Sequence, residues 1–163
     1  PLLAREQARS CARAMSRAFP EHADTFAEGL ARLEESLEAL HERFGAAIPK
    51  GTRLLASHPA YDYLARRYGW EVHNLDLDPK EPLSEEQFAE LERLNETLKP
   101  ALILWEAEAL LATREALESR LGLRSVVFSP AENPSADLRA RGATFLDILA
   151  ENLQVLEAAL GQE

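Results

Sequence analysis

Five consecutive apolar residues, Ala101-Leu102-Ile103-Leu104-Trp105, constrain this chain more than any other stretch. The run sits between Pro100 and Glu106 and is too short for a helix. A strand apolar at every position, not every second one, must be covered on both faces, which is the condition of a parallel sheet. Leu54-Leu55-Ala56 has the same character, Trp70–Leu77 alternates Val72, Leu75 and Leu77, and Ser125-Val126-Val127-Phe128 makes a fourth short run.

Helical patterns separate these runs. Pro59–Tyr68 places Tyr61, Leu64 and Tyr68 on one face, with Pro59 in the first turn. Ser84-Glu85-Glu86-Gln87 reads as a capping box opening a helix to about Leu98. Another helix spans about 110–121 and ends at Gly122, and residues 142–160 form a last amphipathic helix after a loop over 130–140. Strands alternating with helices give βαβ units. The expected fold class is α/β: a four-stranded parallel sheet, with strands near 53–57, 71–76, 101–105 and 124–128, flanked by helices.

The first fifty residues differ. Leu2, Leu3, Ala8, Cys11, Ala12 and Met15 recur at helical spacing, and Pro20 breaks the pattern. Phe26, Leu30, Leu33, Leu37, Leu40 and Phe44 then keep steps of three and four, predicting one helix over 21–47. At 1.5 Å per residue it is about 40 Å long, enough to cross more than one packing unit. The predicted division is therefore 1–50, a short helix and a long connector helix, and 51–163, an α/β lobe.

The formal net charge is −10, from 28 acidic against 18 basic residues. Such a surface repels phosphate backbones, which argues against nucleic acid, and suits a cationic ligand. The single cysteine, Cys11, excludes an intrachain disulfide. No stretch approaches the ~20 apolar residues of a membrane span. The chain opens Pro1-Leu2-Leu3-Ala4 and reads as an excised piece of a longer precursor, so its targeting is not written in it.

Ligands of parallel sheets bind outside the carboxyl ends of the strands. Those places are Ser57-His58, Asp76–Asp78, Glu106–Glu108 and Ser129–Glu132. His58 follows an apolar strand directly, and neutral imidazole is the commonest ligand of zinc-type ions. Glu106, Glu108 and Glu132 are candidate carboxylate ligands, with the competing reading that acidic residues at a loop–helix junction serve the helix N-terminus. His73 reads as a packed strand residue, and His22 and His41 as solvated positions on the long helix. Glycine-rich phosphate loops, a nucleophile elbow, HExxH and CxxC are all missing from the sequence, so the reading is a binding module and not an enzyme.

Several segments carry a resemblance. Ser57-His58-Pro59-Ala60-Tyr61-Asp62-Tyr63-Leu64-Ala65-Arg66-Arg67-Tyr68-Gly69 resembles the HxxYxYxxxxYG segment of the metal receptors of ABC importers, the zinc/manganese solute-binding family. Leu104–Glu108 resembles the segment that some zinc members write WEGEP. Val126-Val127-Phe128-Ser129-Pro130 resembles VVFDP, and Thr144–Leu153 resembles the closing FLxxMxxNL helix. The helix over 21–47 is similar to the connector joining that family's two lobes.

The resemblance implies one lobe of a two-lobed periplasmic or membrane-anchored receptor. It would capture a divalent cation, zinc or alternatively manganese, between the lobes and deliver it to a membrane permease. Its partners would be the N-terminal lobe of the same receptor, normally the source of two histidines, and the permease, with the whole receptor a monomer. This lobe would supply one histidine, mapping to His58, and the aspartate of the DP segment, where this sequence has Ser129. A serine is a poor ligand, so Glu106, Glu108 or Glu132 substitutes, or the site has three protein ligands, or tight binding is lost. The isolated lobe would then hold metal weakly or not at all. The alternative is an α/β enzyme or regulatory domain using the same strand-end crevice.

Overall fold

The computed structural model describes residues 1–132, 134 and 136–161. It divides into two compact units, Pro1–Ala46 and Ala47–Glu163.

The first unit is helical. Helix α1 covers Leu2–Ala18, a 3-10 turn covers Pro20–His22, and α2 covers Ala23–Ala47. Pro20 sets the break because its ring fixes φ and removes a donor, while Phe19 at φ −135° and ψ 69° leaves the helical region. Arg5 pairs with Glu38 and Arg9 with Glu34, tying α1 to α2. Between them runs an apolar groove of about 270 Å³ lined by Cys11, Met15, Phe26, Leu30 and Leu33 among others.

The second unit is built on four parallel strands: β1 at Arg53–Ala56, β2 at Glu71–Asn74, β3 at Leu102–Trp105 and β4 at Ser125–Val127, in the order β2-β1-β3-β4. Leu54 pairs with Val72 on one side and Leu102 on the other, and Leu104 pairs with Val126. The helices are α3 at Asp62–Tyr68, α4 at Glu85–Leu98, α5 at Leu111–Leu121, α6 at Ala136–Ala140 and α7 at Phe145–Leu160. The α/β class and the parallel sheet expected from the apolar runs are thus what the chain forms.

Burial follows the strand pattern. All four residues of β3 are buried, as are Leu54, Leu55 and Ala56 of β1, whereas β2 is an edge strand with Val72 alone partly buried. Leu55, Ile103 and Trp105 pack with Phe88, Leu91 and Leu94 of α4 and with Leu117 of α5 in one core. Alternation turns Leu54, Leu102 and Leu104 to the other face. Helix α7, with Ile148, Leu149, Leu153 and Leu156 buried, packs on β4.

Ser84 and Gln87 make the capping box read from the sequence, with Ser84 Oγ accepting from the Gln87 amide at 3.2 Å and Gln87 Oε1 from the Ser84 amide at 2.9 Å. Three local expectations need correction. Helix α3 starts at Asp62, not Pro59, because Tyr61 is buried and holds a non-helical φ of −114° and ψ of 5°. Strand β2 stops at Asn74, although Leu75 and Leu77 still donate to Ala56 and Ser57 carbonyls at 2.8 and 2.9 Å. The loop over 130–140 contains the one-turn helix α6. Gly69 closes α3 at φ +76°, and a Cβ there would meet Lys50 Cγ at 3.2 Å.

Candidate metal site

Parallel strands deliver all their carboxyl-terminal loops to one rim. Here the rim encloses a crevice of about 480 Å³ lined by His58, Asp76, Leu77, Asp78, Pro79, Lys80, Glu106, Ala107, Ser129, Pro130 and Glu132. His58 reaches it from the β1 end, where the Ser57 amide donates to the Leu104 carbonyl at 2.8 Å and locks the chain just before the histidine. Glu106 follows β3, whose end is fixed by the Phe128 amide donating to the Trp105 carbonyl at 2.8 Å. Asp76 and Asp78 come from the β2 end, and Glu132 from the β4 end.

Three of the four residues singled out in the sequence, His58, Glu106 and Glu132, therefore line one crevice. Glu108 does not line it: its carboxylate lies 2.8 Å from Arg114 Nη1 on α5. Asp76, Asp78 and Lys80 line the crevice and were not selected as ligands from the sequence, although the strand-end rule had marked residues 76–78 as a place to look. Asp78 is partly engaged already, its Oδ1 accepting from the Lys80 amide at 2.7 Å.

Four carboxylates, one imidazole and one ammonium give the crevice a net negative character suited to a small cation. Among the described residues, no group of three or more His, Cys, Asp or Glu side chains is arranged to hold a metal ion. The lining offers donors on a shared wall, not a closed coordination shell.

Behind the wall, Tyr61 is buried and its hydroxyl donates to the Phe128 carbonyl at 2.8 Å. Burial, with the nearby Glu106 charge, raises its pKa well above the ordinary phenol value, so it stays a donor at neutral pH. Ser129, half-buried, accepts from the Ala131 amide through Oγ at 3.1 Å, and its own peptide group is held by Asn152. Tyr61 and Asn152 carry no ligand signature, and their role beside the crevice escaped the sequence reading, although both fall in the segments that carry the family resemblance; a buried polar residue in an apolar helix row is the signal that marks Asn152.

The chain is 25% identical over 145 residues to the zinc-binding protein AdcA of Streptococcus pyogenes, covering 87% of this chain and 28% of AdcA. It is 22% identical over 163 residues to the high-affinity zinc uptake system protein ZnuA of Bacillus subtilis, covering 98% of this chain and 51% of ZnuA. The crystal structure of the metal-dependent lipoprotein YcdH of Bacillus subtilis superposes with a TM-score of 0.89 at 21% identity, over 97% of this chain and 60% of YcdH. The chain thus spans about a quarter to a half of the length of these curated relatives. Residues 1–159 match the family model described as "ZnuA: Zinc-uptake complex component A periplasmic", and with a match over nearly its whole length the chain belongs to that zinc-uptake family.

Proposed function

We propose that this chain supplies one wall of a cation site in a periplasmic receptor that captures zinc as cargo and passes it to the permease of an ABC importer. The observation that carries the reading is the convergence of His58, Glu106 and Glu132 on one acidic strand-end crevice, in a member of the ZnuA family. His58 donates a ring nitrogen, and one of Glu106 and Glu132 donates a carboxylate oxygen. A tetrahedral zinc site needs about four ligands, so the remaining donors come from a second lobe of the same receptor. Glu108, committed to Arg114, is not part of the set. Imidazole with carboxylates accepts manganese as well, but the intrinsic order of affinities puts zinc above it. The names of AdcA, a zinc-binding protein, and ZnuA, a zinc uptake system protein, support the same choice. The work is capture and release, with no bond made or broken in the cargo, and the receptor acts as a monomer.

Zinc titration of the intact protein against a competing chelator tests this. One equivalent of zinc should bind, and His58→Ala should weaken binding by at least about tenfold, the scale of outer-shell losses alone. Failure to bind zinc, or full binding by the His58→Ala protein, overturns the proposal.

A further inference from the structure

Two buried polar side chains close on one backbone turn at the edge of the crevice. Asn152 of α7 holds the backbone of Ser129 at both of its polar groups: its Nδ2 donates to the Ser129 carbonyl at 2.7 Å, and the Ser129 amide donates to its Oδ1 at 3.1 Å. Tyr61 holds the preceding residue, its hydroxyl donating to the Phe128 carbonyl at 2.8 Å while its ring meets the Phe128 ring edge-on at 5.5 Å. The turn they secure is an uncommon one. Ala131 stands at φ +63°, a left-handed conformation costly for a residue with a Cβ, and its amide is taken by Ser129 Oγ. Glu132, on the crevice wall, comes next.

Packing alone does not account for either side chain. Asn152 lies in the buried row of α7 with Leu149, Leu153 and Leu156, where a leucine would fill the space without two polar groups to satisfy. Among the described residues, both its side-chain bonds go to residue 129 and neither to its own helix. Tyr61 is 1% exposed, and phenylalanine would keep its ring contact. Its hydroxyl instead joins the loop that follows His58 to the end of β4.

We infer that Asn152 and Tyr61 are positioning residues of the cation site, fixing the turn at 128–132 against the His58 loop before any cation arrives. Strained backbone persists where its surroundings over-determine it, and it gathers at binding sites for that reason. Outer groups that orient ligands are a large part of metal affinity. The inference rests on the crevice being the cation site proposed above.

The test compares Tyr61→Phe, Asn152→Leu and Thr144→Ala in the intact protein. Thr144→Ala removes the N-terminal cap of α7 without touching residue 129, and so reports what loosening α7 does by itself. Zinc affinity is measured by chelator competition, and Co²⁺ loading reads the ligand geometry through its visible absorption. Tyr61→Phe and Asn152→Leu should each weaken zinc binding by about ten- to a hundredfold and alter the cobalt spectrum, with Thr144→Ala unchanged in both. If Asn152→Leu fails to fold, Tyr61→Phe decides alone. Unchanged affinity and spectrum in Tyr61→Phe, or an equal loss in Thr144→Ala, overturns the inference and leaves the proposed function standing. A wild-type protein that takes up neither ion overturns the proposed function, and the inference falls with it.

Discussion

The Glu108 carboxylate lies 2.8 Å from Arg114 Nη1, while Glu106, two residues earlier, lines the crevice with His58. Neighbouring acids of the same type thus have separate surroundings. At least one of Glu106→Gln and Glu132→Gln should weaken zinc binding by at least about tenfold. Glu108→Gln should leave it within twofold, about the scatter expected of a surface ion pair worth under ~1 kcal/mol. Chelator competition on the three variants ranks them. A ranking with Glu108→Gln the most damaging would move the site out of the crevice.

Acid should loosen α7 before it reaches the sheet. Asp147 accepts from the Thr144 hydroxyl and amide at 2.7 and 2.8 Å, and Glu151 takes Arg141 in two bonds at 2.8 and 2.9 Å. Both carboxylates are held below their ordinary values, Asp147 by the Thr144 bonds and Glu151 first by its Arg141 bond. A depressed folded value means the unfolded chain binds protons first as pH falls. The stability is full above the ordinary carboxylate range near pH 4 and is lost as pH drops through the folded values. Thermal melts from pH 6 to pH 2.5 should therefore fall less steeply for an Asp147→Asn, Glu151→Gln double variant than for the wild type. Parallel slopes would show that the two carboxylates contribute nothing.

At neutral pH the same helix tests its cap. Thr144 Oγ1 accepts from the Asp147 amide at 3.3 Å, and the Asp147 carboxylate accepts from the Thr144 amide, a reciprocal box. Thr144→Ala should cost about 1 kcal/mol, seen as a lower urea midpoint with unchanged slope.

A core contrast tests the sheet. Leu104 is fully buried on β3 between two strands, whereas Val72 sits partly buried on the β2 edge. Leu104→Ala should destabilise by about 2–5 kcal/mol. Val72→Ala should cost less than half of that because the edge has neighbours on one side only. Equal losses in denaturant unfolding would contradict the edge position of β2.

The sheet was legible because Ala101–Trp105 and Leu54–Ala56 are apolar without a break, a pattern only a two-sided strand satisfies. The α4 cap was legible because both its partners lie within four residues. Helix α3 was misplaced at its start because Pro59 is welcome in a first turn on local grounds, while the burial of Tyr61, a tertiary fact, delays the helix to Asp62. Asp76 and Asp78 passed unselected among 28 acidic residues, since position on a rim appears only once strands are ordered. The bond from Tyr61 to Phe128 spans distant sequence and has no local signature at all.

The strand order carries a kinetic consequence. β1, α3 and β2 form one local unit and β3, α5 and β4 another, and of the strand pairings β1–β3 alone joins them, across the whole of α4. Each local unit closes a short loop, while the joint closes a long one and is the slower event. His58, Asp76 and Asp78 belong to the first unit, and Glu106, Ser129 and Glu132 to the second. Neither half contains the whole crevice, so its rim has no precursor within either local unit. It is complete only once β1 and β3 are paired, the joint that closes the longest loop of the sheet.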